Sequence, residues 1–120
     1  MRFGFVKVAA AIPAVKVADC KFNAQHTETQ IMIADGKGVQ IIVFPELNLT
    51  GYSCGDLFSH QLLIEQAEMS LMQIMNNTRQ MDIISIIGMP VVMNSTLLNC
   101  AVVLQKGKIL GIVPKTYLPN

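Results

Sequence analysis

The run IIVFPELNLTGYSCGDLF, Ile41 to Phe58, places a carboxylate directly after an apolar stretch and a proline. Val39 to Phe44 read as a strand. Pro45 holds the residue before it extended and cannot donate to a sheet ladder, so it predicts a clean strand end that delivers Glu46. The same grammar recurs in ILGIVPKTYLPN, where Pro114 delivers Lys115. Pro13 and Pro90 are read as strand stops too, but bland residues, Ala14 and Val91, follow them. In open α/β sheets, ligands bind outside the carboxyl ends of the strands. Glu46 and Lys115 therefore stand where chemistry is expected, on backbone that proline stiffens.

Outward from this point the chain alternates strands and helices. Phe5 to Ile12 is an apolar strand. Cys20, Ala24, Thr27, Ile31 and Ala34 recur at helical spacing and predict a helix from about Phe22 to Asp35, ended by Gly36 and Gly38. Ile64, Ala67, Leu71, Ile74 and Thr78 predict a second helix between about Gln61 and Gln80. Met69, Met72 and Met75 thicken it and read as core or interface filler. Ile83 to Ile87 form a third strand, ended by Gly88 and Pro90. Leu97 to Leu104, the Lys106-Gly107 turn and Lys108 to Val113 read as a β-hairpin. The resulting order, β-α-β-α-β-β-β, predicts an α/β fold. Crossover helices of this length imply a mostly parallel sheet with an antiparallel part added by the hairpin. Continuously apolar strands imply that both sheet faces are covered.

Composition narrows the function. Of 120 residues, 52% are apolar and only 14% charged, well below the usual quarter or so. Either the sheet is strongly buried or part of this surface is interface. Nine basic residues face eight acidic ones without clustering, so nucleic-acid binding has no electrostatic footing. No stretch approaches the ~18 apolar residues of a membrane span, and Lys7 interrupts the only candidate for a leader. Cys20, Cys54 and Cys100 are odd in number and fit neither a CxxC pair nor a zinc set, and His26 and His60 stand alone. A reducing, cytoplasmic setting without a bound metal is the simplest expectation.

A carboxylate left unpaired at the rim of an apolar sheet is costly, and a neighbouring lysine offsets much of that cost. Glu46 and Lys115 could be a plain salt bridge. As chemistry they supply a base and an electrostatic stabiliser but no nucleophile. Cys54 is the cysteine nearest Glu46 in sequence, whereas Cys20 starts a helix and Cys100 lies mid-strand as small core residues.

VFPELNLTGY and KTYLPN resemble the glutamate and lysine motifs of the nitrilase, or carbon–nitrogen hydrolase, superfamily. Asn23 at the first helix, IIGMP at the third strand and LNCAVVLQKGKILG, with Asn99, extend the resemblance in the right order across nearly the whole chain. The longer FPELNLTGYSCGDLF is similar to one branch, the N-terminal glutaminase domains of glutamine-dependent NAD⁺ synthetases. The resemblance implies the N-terminal part of a nitrilase-type α-β-β-α sandwich and a Glu-Lys-Cys triad. Carried over, Glu46 is the general base that takes the thiol proton, and Lys115 steadies the oxyanion. Tyr52 would wall or hydrogen-bond the glutamine pocket, or else simply pack beneath its loop. The implied substrate is glutamine, whose side-chain amide yields ammonia. In such enzymes a separate synthetase domain, using ATP and magnesium, amidates nicotinic acid adenine dinucleotide.

This sequence departs from the pattern at the nucleophile. None of its three cysteines occupies the family's position, which follows a later strand, so residues 1–120 are expected to be an incomplete glutaminase domain, inactive alone, with the synthetase domain absent. Uncovered apolar surface would then favour a homo-oligomer. Two other readings stay open: part of another nitrilase-like amidase, or a small complete α/β interaction module in which Glu46 and Lys115 are only a structural pair.

Overall fold

Asp19 starts the first helix: its carboxylate accepts the Phe22 N–H at 3.0 Å, satisfying one of the donors that a helix leaves free at its first turn. A computed structural model describes residues 4–51 and 61–117. Its elements are β1 (Val8–Ala10), α1 (Cys20–Gly36), β2 (Ile41–Val43), α2 (Gln61–Asn77), β3 (Ile84–Met93), β4 (Thr96–Gln105) and β5 (Lys108–Tyr117). Every residue of the two expected helical stripes is buried, from Cys20 to Ala34 on α1 and from Ile64 to Thr78 at and beyond α2. Gly38, at φ 77°, lets the chain turn back from α1 into β2.

The strands form one mixed α/β sheet in the order β1-β2-β3-β4-β5. β1 pairs β2 and β2 pairs β3 in parallel, while β3, β4 and β5 form an antiparallel meander. The parallel strands have three residues each and the meander strands ten, so the sheet is more antiparallel than the crossover pattern suggests. Two hairpins build the meander. Lys106 and Gly107 have φ of 51° and 74°, and Asn94 and Ser95 have φ of 51° and 64°. Both are two-residue turns with positive φ at both central positions, the twist that suits tight hairpins. Only the first was legible in advance, because Gly107 signals it and Asn94-Ser95 carries no glycine.

Two of the four expected proline stops are not stops. Pro90 lies inside β3, paired with Asn99. The Ile86 and Gly88 carbonyls accept from Phe44 and Leu49, and the strand's period of two turns Pro90 the same way, past the end of β2. Its missing N–H therefore leaves no ladder bond unmade. Pro114 lies inside β5, which is an edge strand, next to a bulge; edges and bulges are where strands tolerate proline.

Among the described residues the sheet is also covered on one face only. Two successive right-handed crossovers that step in one direction across a sheet put both helices on the same side, and α1 packs against α2 there. Ile42, Ile87, Val102 and Leu104 point into this core. On the other face, Val8, Ile41 and Ile84 lie in register, as do Val43, Ile86 and Val103. Val8 is 63% exposed and Val113 57%. Continuous apolarity led to the expectation that both faces are covered, but this chain's helices shield just one.

The helix pair holds a buried acid. Glu28 of α1 accepts from the Asn77 side chain at 2.9 Å. Burial pushes its carboxyl above the usual range, and the Asn77 bond only partly opposes this. Because the folded state disfavours the charge, stability that is present below the ordinary glutamate range is lost as pH rises through the raised value. Glu28→Gln keeps the acceptor for Asn77 without the charge. The variant is expected to melt higher than the parent at pH above the raised Glu28 range and to converge with it in acid. Thermal melts across pH check this.

Candidate active site

Glu46 follows the exposed Pro45 on a turn that is otherwise buried. Phe44, Leu47, Asn48, Leu49 and Thr50 are each at most 6% exposed, so the loop is held from below while the Glu46 side chain keeps 29% of its surface open. Leu47 adopts φ 53°, a left-handed conformation uncommon for such a residue and sustained only where the surroundings over-determine it. The surroundings here are polar and buried. Asn48 donates to Thr27 Oγ1 at 2.9 Å and accepts the Gly88 N–H at 2.9 Å. Gly88 in turn accepts from the Leu49 N–H at 3.1 Å. Asn23 donates to the carbonyls of Lys16 and Leu49 and accepts the Lys16 N–H, at 2.8, 2.9 and 2.7 Å. The glutamate turn is thus stapled to α1 on one side and to β3 on the other.

Read locally, Thr27 belongs to a helical stripe, Gly88 to a strand end and Asn48 to no pattern tied to the site, while only the family resemblance singles out Asn23. The sequence still carries signals for them. Asn23 and Thr27 are polar at helical spacing on a face that is otherwise apolar, and a glycine inside a strand pattern marks close backbone approach. Asn23→Ala should lower stability by about 2 kcal/mol, since it removes three hydrogen bonds, one of them fully buried, and leaves the Leu49 carbonyl and the Lys16 N–H without that partner. Urea unfolding checks this.

Lys115 reaches the glutamate from the sheet edge. Asn99 pairs with Thr116 and Cys100 with Pro114, so Lys115 is the extra residue of a bulge in β5. A bulge re-aims a side chain, and the Lys115 Nζ lies 3.3 Å from Glu46 Oε1. The Asn99 amide donates to the same oxygen. The structure therefore brings Glu46 and Lys115 together and adds Asn99. With the Lys115 side chain 66% exposed, the pair is half-open rather than sealed, and an ion pair of that kind adds little to stability. Tyr52, Cys54 and His60 lie outside the described residues.

The two described thiols do not serve this pair. Cys100 is adjacent to Asn99 on β4, and adjacent strand residues face opposite sides. It is 2% exposed beneath the sheet, and burial pushes its thiol up. Cys20 is equally buried at the start of α1. Among the described residues, no group of His, Cys, Asp or Glu forms a metal ligand set, and no helix is long and apolar enough to cross a membrane.

The sequence profile described as carbon-nitrogen hydrolase matches residues 7–120. The chain belongs to the carbon-nitrogen hydrolase family. Within it, the chain is 34% identical over 117 residues to a glutamine-dependent NAD(+) synthetase from Mycobacterium leprae, an alignment covering 98% of this chain and 17% of that protein. The crystal structure of a glutamine-dependent NAD(+) synthetase from Cytophaga hutchinsonii is 28% identical, with a TM-score of 0.86, over 96% of this chain and 20% of the other. An amidase from Nesterenkonia sp. shares the hydrolase fold at 18% identity and TM-score 0.78, over 100% of this chain and 46% of its own. This carbon-nitrogen hydrolase chain thus spans a minor part of the relatives it matches.

Proposed function

We propose that these residues form part of a glutamine-hydrolysing domain in which Glu46 is the general base and Lys115 the oxyanion stabiliser of a Glu-Lys-Cys triad. The observation that carries this reading is the 3.3 Å approach of Lys115 Nζ to Glu46 Oε1 across 69 positions of sequence. The cysteine would come from sequence beyond these 120 residues: neither described thiol faces the pair, and by the family resemblance Cys54 does not occupy the nucleophile position. Glu46 would take the thiol proton as sulfur attacks the glutamine amide carbon, then pass it to the departing ammonia. Lys115 Nζ would neutralise charge on the carbonyl oxygen at the tetrahedral stage. Water, deprotonated by Glu46, would then release glutamate from the thioester.

The likeness to glutamine-dependent NAD(+) synthetases supports the further reading that the ammonia serves an ATP-dependent, magnesium-requiring amidation of nicotinic acid adenine dinucleotide in another domain. Tyr52 is assigned to the glutamine pocket on resemblance alone. The test compares two proteins for ammonia release from glutamine: the 120-residue chain, and a hybrid in which it replaces the matching segment of the Cytophaga hutchinsonii synthetase. The chain alone should show no turnover, and the hybrid should turn over. Glutamine hydrolysis by the chain alone, lost on Glu46→Gln, would overturn the assignment of the nucleophile.

A further inference from the structure

We infer that Asn99 is a positioning residue that decides which oxygen of Glu46 acts as the base. The inference rests on the hydrolytic reading above. Asn99 is 4% exposed, with Pro90 on one side and Thr116 on the other as cross-strand partners. Its backbone is thereby held from both sides, and its short side chain has little freedom. Lys115 contrasts with it: a long stem, on an edge strand, mostly exposed. Both donate to Glu46 Oε1, and among the described residues Oε2 takes no hydrogen bond.

A carboxylate held by one oxygen offers the other to a proton. Asn99 supplies the fixed half of that hold. Without it, the carboxylate can rotate and the flexible Lys115 ammonium can sit across both oxygens, capping the base with the group meant for the substrate. Chemistry also selects an amide at this position. It donates without adding charge, so Glu46 and Lys115 remain balanced. An aspartate would set a second negative charge against Glu46, and a leucine would fill the space with no donor at all.

Two measurements test this. In the 120-residue chain, the side-chain amide signals of Asn99 in ¹H–¹⁵N spectra should move as the carboxylates titrate, and that movement should vanish in Glu46→Gln. Signals indifferent to the titration in the parent chain would overturn the contact and the proposal with it. In the hybrid, Asn99→Leu should lower kcat about 100-fold with KM nearly unchanged, the size expected when a reacting group is misplaced. Asn99→Asp should instead shift the acid limb of the rate profile to higher pH, through like-charge repulsion. A folded Asn99→Leu hybrid with parental kcat, or an Asn99→Asp profile that only scales down, would show a structural role and sink the inference. Failure of the hydrolytic reading looks different: Glu46→Gln would then leave the hybrid's turnover unchanged, while the amide signals would still respond to Glu46.

Discussion

Glu46→Gln in the hybrid should reduce ammonia release from glutamine by roughly 10³-fold or more, within the range expected for removing a positioned general base. Glutamine is nearly isosteric with glutamate. Its carbonyl oxygen can still accept from the Asn99 amide and lie near Lys115, so the turn and its staples to α1 and β3 are undisturbed. The change removes the capacity to take a proton and little else. Since proton transfer matters in the transition state, kcat and kcat/KM should fall together while KM moves little. Melting temperature should stay at the parental value, which separates lost chemistry from lost fold. Turnover within tenfold of the parent would remove Glu46 from the base's role, and with it the reading of Lys115 as its partner.

Gly88→Ala is expected to destabilise the chain by at least about 3 kcal/mol. A Cβ at this position would stand 2.5 Å from both the Leu47 N and the Pro45 carbonyl oxygen. Those are backbone atoms on either side of Glu46, and they cannot swing aside as a flexible side chain could. To make room, the turn must lift from β3. That would break the Gly88 N–H bond to Asn48 and the Leu49 N–H bond to the Gly88 carbonyl. Urea denaturation of the purified chain measures the loss. In the hybrid the same substitution should depress turnover beyond what its stability explains, because Glu46 moves with the turn. A stability change under about 1 kcal/mol would show that the turn is not pinned to β3 as described.

Much of the fold could be read in advance because its causes are local. Helical spacing selects the buried face of each helix from Cys20 to Ala34 and from Ile64 to Thr78. Apolar runs locate all the strands, and Lys106-Gly107 marks a hairpin. Local rules fail where they depend on their neighbours. A proline ends a strand only if its missing N–H faces a partner, and at Pro90 it faces none. Apolar strands show that a face avoids water but not what covers it, and two crossovers in one direction place both of this chain's helices on the same side.

The candidate site divides along the same line. Pro45 and Pro114, with their apolar runs, are enough to single out Glu46 and Lys115, since a proline after an apolar run is a pattern of consecutive residues; that Lys115 sits on a bulge inside β5 rather than at a strand end is not. That the two meet, and that Asn99 joins them on one oxygen, was decided by tertiary structure. Strand register and the bulge at Lys115 bring together groups 53 and 69 positions apart in the chain, and no local pattern carries the sheet order that makes them neighbours.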